Sequence, residues 1–138
     1  MTGGRVLALD PGTRRVGVAV SDPLGITAQP HGVLDGADPK LLEEVARLAG
    51  DLGAERIVVG LPVSLNGSEG PAAAAARRFA AEVAEATGLP VDLVDERFTS
   101  VTAERVLVQA GLSGRRRRAV RDRLAAAVML QAYLDGGR

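Results

Sequence analysis

The chain has 138 residues, balances 17 Lys+Arg against 17 Asp+Glu, and contains one histidine and no cysteine. That length fits one domain with a real core, so a single domain over residues 1–138 is expected. Without cysteine there is no disulfide framework, zinc knuckle, thiol nucleophile or iron–sulfur cluster, and His31 alone makes no His-rich metal site, which leaves carboxylates, arginines, hydroxyls, backbone groups or bound cations to carry any chemistry.

In chain order, Arg5 to Asp10 reads as an apolar strand that ends abruptly in an acid. Pro11, Gly12 and Thr13, with Arg14 and Arg15, make a turn into a second strand over Val16 to Val20, an antiparallel hairpin. Ile26 to Leu34 is expected as a third, edge strand interrupted by Pro30. Leu41, Leu42, Val45, Leu48 and Leu52 are spaced for one face of a helix over Lys40 to Leu52. Arg56 to Pro62 is a short continuous apolar strand of the buried, parallel type. A loop over Val63 to Gly70 leads to an alanine-rich helix from Pro71 to Ala86, then an apolar strand from Val91 ending at Asp95 and Glu96. A helix over Val101 to Ala110, a basic glycine-punctuated loop from Gly111 to Arg118, and a last helix from Ala119 to Leu134 complete the pattern. Antiparallel strands followed by alternating helix and strand imply an α/β fold: a mixed five-stranded sheet with helices on both faces.

In such sheets chemistry collects outside the carboxyl ends of the parallel strands. Asp10, the Gly60-Leu61-Pro62 segment and the Asp95-Glu96 pair all lie at such ends. Strand alternation puts Val6, Ala8 and Asp10 on one face, and gives Glu96 the parity of Val94, so one acid of the Asp95-Glu96 pair can share a face with Asp10. The bland alternatives are a turn-forming Asp10 and a solvated acidic pair bridged to Arg97. Asp122 shares a helical stripe with Ala125, Ala126, Met129 and Tyr133, or is simply a first-turn acid that neutralises Arg118, Arg121 and Arg123. Three carboxylates converging on one edge repel one another unless a cation intervenes. An oxygen-only set suits Mg2+ or Mn2+, and two such ions ~4 Å apart would orient a water and stabilise the leaving oxygen of a phosphodiester.

Zero net charge hides an asymmetry. Residues 1–96 hold eight basic and fourteen acidic side chains, whereas residues 97–138 hold nine basic and three acidic. A basic end of this kind points to an anionic partner, and Arg115, Arg116, Arg117 and Arg118 are candidates for phosphate contact, with a solvated loop as the plain alternative. Gly60, Pro62 and Asn66 form a second candidate wall, where glycine permits close approach to the backbone. His31 reads as an edge or loop residue, and Phe79 and Tyr133 as core. Phe98 is the one aromatic placed to touch a substrate. The first residues lack the basic and apolar regions of a signal peptide, and no run of ~18 uncharged apolar residues occurs; a soluble, cytoplasmic protein with no membrane contact is expected.

Four segments together resemble the YqgF family, the Holliday-junction-resolvase-like proteins also described as nucleases for the precursor of small-subunit ribosomal RNA. They are Leu9 to Asp22, Ile57 to Pro62 with Asn66 to Gly70, Asp95 to Ser100, and Asp122 leading Ala125 to Leu134. They occur in the family's order and span nearly the whole chain. The resemblance implies a ribonuclease-H-like fold and Asp10, Glu96 and Asp122 as catalytic, metal-binding acids; Thr13, Arg14, Arg15, Arg97 and Thr99 are further candidates for nucleic-acid contact. The departure from the pattern is at Asp122, flanked by Arg121 and Arg123 where an apolar and a small residue are expected. The function expected is a metal-dependent nuclease for the 5′ end of pre-16S ribosomal RNA; the alternatives are a branched-DNA resolvase, which would need a symmetric dimer, and a non-catalytic RNA-binding assembly factor. The Asp-x-Gly-Thr segment also resembles the phosphate loop of actin-like kinases, but 138 residues cannot supply the two domains those require. Either a monomer or a homodimer is compatible with the chain.

Overall fold

The computed structural model describes residues 4–97 and 114–136, with side chains of the second stretch from residue 124 onward. Among the described residues, strands β1 (Arg5–Pro11), β2 (Arg15–Ser21), β3 (Ala28–Asp35), β4 (Ala54–Leu61) and β5 (Val91–Asp95) form one sheet in the order β3-β2-β1-β4-β5. β1, β2 and β3 run antiparallel, and β4 and β5 add in parallel beside β1. The described helices are α1 (Leu41–Leu52), α2 (Pro71–Thr87) and α3 (Gly114–Leu134).

Strand alternation divides the core in two. Leu7, Leu9, Val16, Val18, Ile57 and Val59 face Val45 and Ala49 of α1 and Ala80 and Val83 of α2. Val6, Ala8, Ala19, Val58 and Val94 face Ala126, Met129, Leu130 and Tyr133 of α3. Helices therefore cover both faces of the mixed sheet, as expected. Phe79 packs against the first cluster and Tyr133 is buried in the second, both core residues.

Three boundaries differ from the sequence expectation by more than one residue. β3 begins at Ala28 rather than Ile26, because the Asp22 carboxylate accepts the Ile26 and Thr27 N–H groups at 2.7 and 3.0 Å and holds them in a turn. β4 begins at Ala54, directly after Gly53 ends α1 with φ +66°, a left-handed conformation that glycine adopts without cost. The last helix begins at Gly114, so Arg115 to Arg118 are its opening turns and not a loop. Arginine is a good helix former, and glycine punctuation stops at Gly114. The helix expected over Val101 to Ala110, Phe98 and Thr99 lie outside the described residues.

Side-chain hydrogen bonds pin α3 across the sheet. Gln131 Oε1 accepts the Ala28 N–H at 2.9 Å and its Nε2 donates to the Ile26 carbonyl at 3.0 Å. Two residues on, Tyr133 Oη donates to Asp92 Oδ2 on β5 at 2.6 Å, and Arg56 of β4 donates to the same oxygen at 3.0 Å. One helix is thus tied near both edges of the sheet. His31 is exposed on β3, an edge-strand residue.

Burial sorts the consequences of truncation. Leu9 is 0% exposed and Val33 is 49% exposed. Leu9→Ala is expected to lower unfolding stability by about 2–5 kcal/mol, and Val33→Ala by about 0.5 kcal/mol or less, both read from urea denaturation midpoints.

Candidate active site

The site is built where β1, β4 and β5 end. Leu9 pairs with Val59, and Leu61 pairs with Asp95. Asp10 follows Leu9, and Glu96 extends β5 by donating its N–H to the Leu61 carbonyl at 3.1 Å. Both acids have the parity of strand residues that face α3, Asp10 with Val6 and Ala8 and Glu96 with Val94.

β1 and β5 are not neighbours, because β4 lies between them. With adjacent strands ~4.8 Å apart, the two backbones are separated by ~10 Å, and a carboxyl group bridges that gap only by crossing β4. Gly60 is the β4 residue being crossed. A Cβ there would collide with the Glu96 carboxyl group and stand 2.8 Å from Met129 Sδ. The glycine therefore gives Glu96 its path, and the Glu96 side chain reaches a hydrogen bond with Asp10.

This contact changes the chemistry of the pair. Burial, then the hydrogen bond to Asp10, then the charges of Asp10 and Asp95 push the Glu96 carboxyl up to about 9. Two carboxylates in contact cannot both ionise cheaply, so Glu96 keeps its proton at neutral pH and donates it to Asp10. Asp95, on the opposite parity, meets a different partner. The Arg97 guanidinium donates to Asp95 at 2.6 to 3.1 Å and holds that carboxyl below its ordinary range. The bridge to Arg97 considered for the acidic pair thus holds for Asp95, while Glu96 turns to Asp10.

Helix α3 approaches this corner through small residues. A Cβ on Gly17, which pairs with Asp10, would sit 3.7 Å from Asp10 Cβ and 3.6 Å from Ala126 Cβ. Ala125 lines a cavity of about 520 Å³ with Asp10, Gly12, Thr13, Arg14 and Arg15. Asp122 lies in α3 one turn before these alanines and on their stripe; its side chain is outside the described residues. Among the described residues no three acids or histidines are grouped to hold a metal, and Asp10 with Glu96 is a pair.

The remaining expected residues fall on two sides of the pair. Thr13, Arg14 and Arg15 are exposed on the Asp10 side, on a turn closed by Gly12 N–H to the Arg15 carbonyl at 2.8 Å and Gly36 N–H to the Arg14 carbonyl at 2.9 Å. Pro62, Glu96 and Arg97 line a second, more open cleft of about 470 Å³. Asn66 is a turn former, its Oδ1 accepting the Ser68 N–H at 3.0 Å. Arg115 to Arg118 lie on the first turns of α3, with side chains outside the described residues, as is Thr99. Close approach at Gly60 was expected from the sequence, but the group that approaches is Glu96. Met129, named from the sequence only as a member of the Asp122 stripe, also packs at this point.

A family model described as "RuvX: Holliday junction resolvase" matches residues 4–136. A protein of Syntrophomonas wolfei is 46% identical over 134 residues, covering 96% of this chain and 95% of its own length. One from Moorella thermoacetica is 50% identical over 135 residues, covering 95% and 94% respectively. Both carry the name "Putative pre-16S rRNA nuclease". Among solved structures, Thermus thermophilus RuvC in complex with a Holliday junction substrate superimposes with a TM-score of 0.58 over 97% of both chains at 18% identity. That likeness establishes the ribonuclease-H-like fold.

The protonated Glu96 has a consequence for stability. Its ordinary value is 4.5 and its folded value about 9. Between them the folded chain holds a proton that the unfolded chain has released, so raising the pH through this window costs stability. In a chelating buffer Glu96→Gln is expected to melt at a higher temperature than the wild type at pH 8, with a flatter dependence between pH 5 and 9. Parallel melting curves for the two proteins would contradict this.

Proposed function

This chain belongs to the RuvX Holliday junction resolvase family, and from that premise we propose that it is a single-domain, metal-dependent nuclease, a hydrolase of phosphodiester bonds, that processes the 5′ end of pre-16S ribosomal RNA during ribosome biogenesis in the cytoplasm. The observation that carries the proposal is the Asp10–Glu96 contact: two carboxyl groups brought across an intervening strand at a high electrostatic cost. Structure alone gains nothing from such a pair, since apolar residues would fill the corner better. Among the described residues no helix is long and apolar enough to cross a bilayer.

The donor set fits a hard divalent cation, Mg2+ or Mn2+, because its members are all carboxylate oxygens and one of them is forced to carry a proton in the cation's place. Asp10, Glu96 and Asp122 would hold it. When bound, such a cation supplies an activated water and neutralises charge on the phosphate under attack. The rest of the work falls to the chain itself. Thr13, Arg14 and Arg15 on one side, and Arg115 to Arg118 at the start of α3, would bind backbone phosphates. Pro62, Asn66 and Arg97 would border the substrate on the other side, with Arg97 held in one orientation by Asp95, and Thr99 is expected to contact it too.

A second reading is favoured by the family's description and by the RuvC fold: resolution of a branched DNA junction, which two symmetric cuts would make the task of a homodimer. The choice of ribosomal RNA rests on the names of relatives 46–50% identical over nearly the whole chain.

The test is cleavage of labelled precursor 16S RNA and of a four-way DNA junction in Mg2+ or Mn2+. Cleavage of the RNA is expected, and Asp10→Asn, Glu96→Gln and Asp122→Asn are each expected to lower kcat by about a hundredfold or more. Cleavage of the junction alone would favour the resolvase. Tight RNA binding with no cleavage would leave a non-catalytic assembly factor.

A further inference from the structure

The two sides of the carboxylate pair differ in chemistry. The Asp10 cavity has Thr13, Arg14 and Arg15 in its walls. The Glu96 cleft is walled by Pro62, Val63, Leu65 and Pro71 together with Arg97. Arginines suit a phosphate chain. An apolar wall suits the face of a flat group.

Leu65 is 88% exposed, more than any other large apolar side chain among the described residues. Its turn is nonetheless well tied. Ser64 N–H donates to the Ser68 carbonyl at 2.9 Å, Gly67 N–H to the Ser64 carbonyl at 2.8 Å, and Ser68 N–H to Asn66 Oδ1 at 3.0 Å. Gly67 takes φ +87°, and the next residue along from Ser68, Glu69, is gripped by Arg77 of α2 through two bonds of 2.8 Å. A leucine held in water on an ordered turn does nothing for the core, and little ordering entropy would oppose its burial against a ligand.

We infer that Leu65 is a wedge that holds one unpaired nucleobase in the cleft beside Glu96, so that the enzyme selects RNA with an unpaired nucleotide next to the bond it cuts. This rests on the nuclease reading above. In an A-form duplex the base faces are stacked and the edges paired, so only an unpaired or extruded base offers its face to Leu65. Leu65 is a specificity residue, acting on the base rather than on the reacting phosphate.

The test compares two RNA hairpins with the same stem, one blunt and one with an unpaired 5′ extension carrying 2-aminopurine. Binding is measured first in EDTA for the wild type, Leu65→Ser and Leu65→Met. The wild type is expected to prefer the extended hairpin by about tenfold, the scale of burying one leucine, with a rise in 2-aminopurine fluorescence as the base unstacks. Leu65→Ser should bring the preference within about twofold and remove the rise, and Leu65→Met should restore both. Full preference and fluorescence rise in Leu65→Ser would overturn the wedge. Repeating the assay in Mn2+ separates the two ideas. Cleavage with no dependence on Leu65 overturns the wedge alone, a Leu65-dependent preference without cleavage overturns the nuclease reading alone, and binding to neither hairpin overturns both.

Discussion

The contact between Asp10 and Glu96 sets the requirements for everything around it. Their strands are separated by β4, so the carboxyl groups meet only because Glu96 leans across Gly60, where any side chain would occupy the same space. Burial, and after it the contact with Asp10, raises the affinity of Glu96 for a proton and leaves the metal-free site in a compromise between desolvation and repulsion. A fold that keeps such a pair keeps it for a charge to come. The nearby Asp95–Arg97 pair shows the contrast: there an arginine satisfies the acid at once and its carboxyl stays ionised.

Helix α3 has to come close to this corner while carrying a basic start. Gly17 on the sheet and Ala125 and Ala126 on the helix keep the facing surfaces thin. Further along, Gln131 ties the helix to residues 26 and 28, and Tyr133 ties it to Asp92 on β5. Both tethers lie in the C-terminal half of the helix, and its N-terminal turns contain Arg115 to Arg118 and then Asp122. In the proposed nuclease, binding phosphates and cutting one of them would be tasks for adjacent parts of this one helix.

Much of this could be read in the residues themselves, for physical reasons that vary with the feature. Strand alternation has a period of two that the backbone enforces, so one acid of the Asp95-Glu96 pair can be put on the face of Asp10 without knowing the sheet order, and the family resemblance points to Glu96. The helical stripe of Ala125, Ala126, Met129 and Tyr133 was legible for the same kind of reason. Less legible were features decided by a partner far along the chain. Gly60 signals close approach, but which group approaches depends on β5 lying next to β4. The start of β3 depends on a carboxylate, Asp22, capturing two amides that otherwise suit a strand. Arg115 to Arg118 resembled a loop because charge and nearby glycine mark loops, while the helix propensity of arginine acted in the other direction. Leu65 carried a weak signal, one apolar residue inside a turn of Ser, Asn and Gly.

The central claim is that Asp10 and Glu96 form one cation site whose metal-free state is held together by a proton. Calorimetric titration of Mn2+ into the protein at pH 7, in two buffers of different ionisation enthalpy, counts the protons released per cation. The account predicts saturable binding that expels about one proton from the pair, with the proton release absent in Glu96→Gln. Saturable binding with no proton released, or no saturable binding at all, would contradict it.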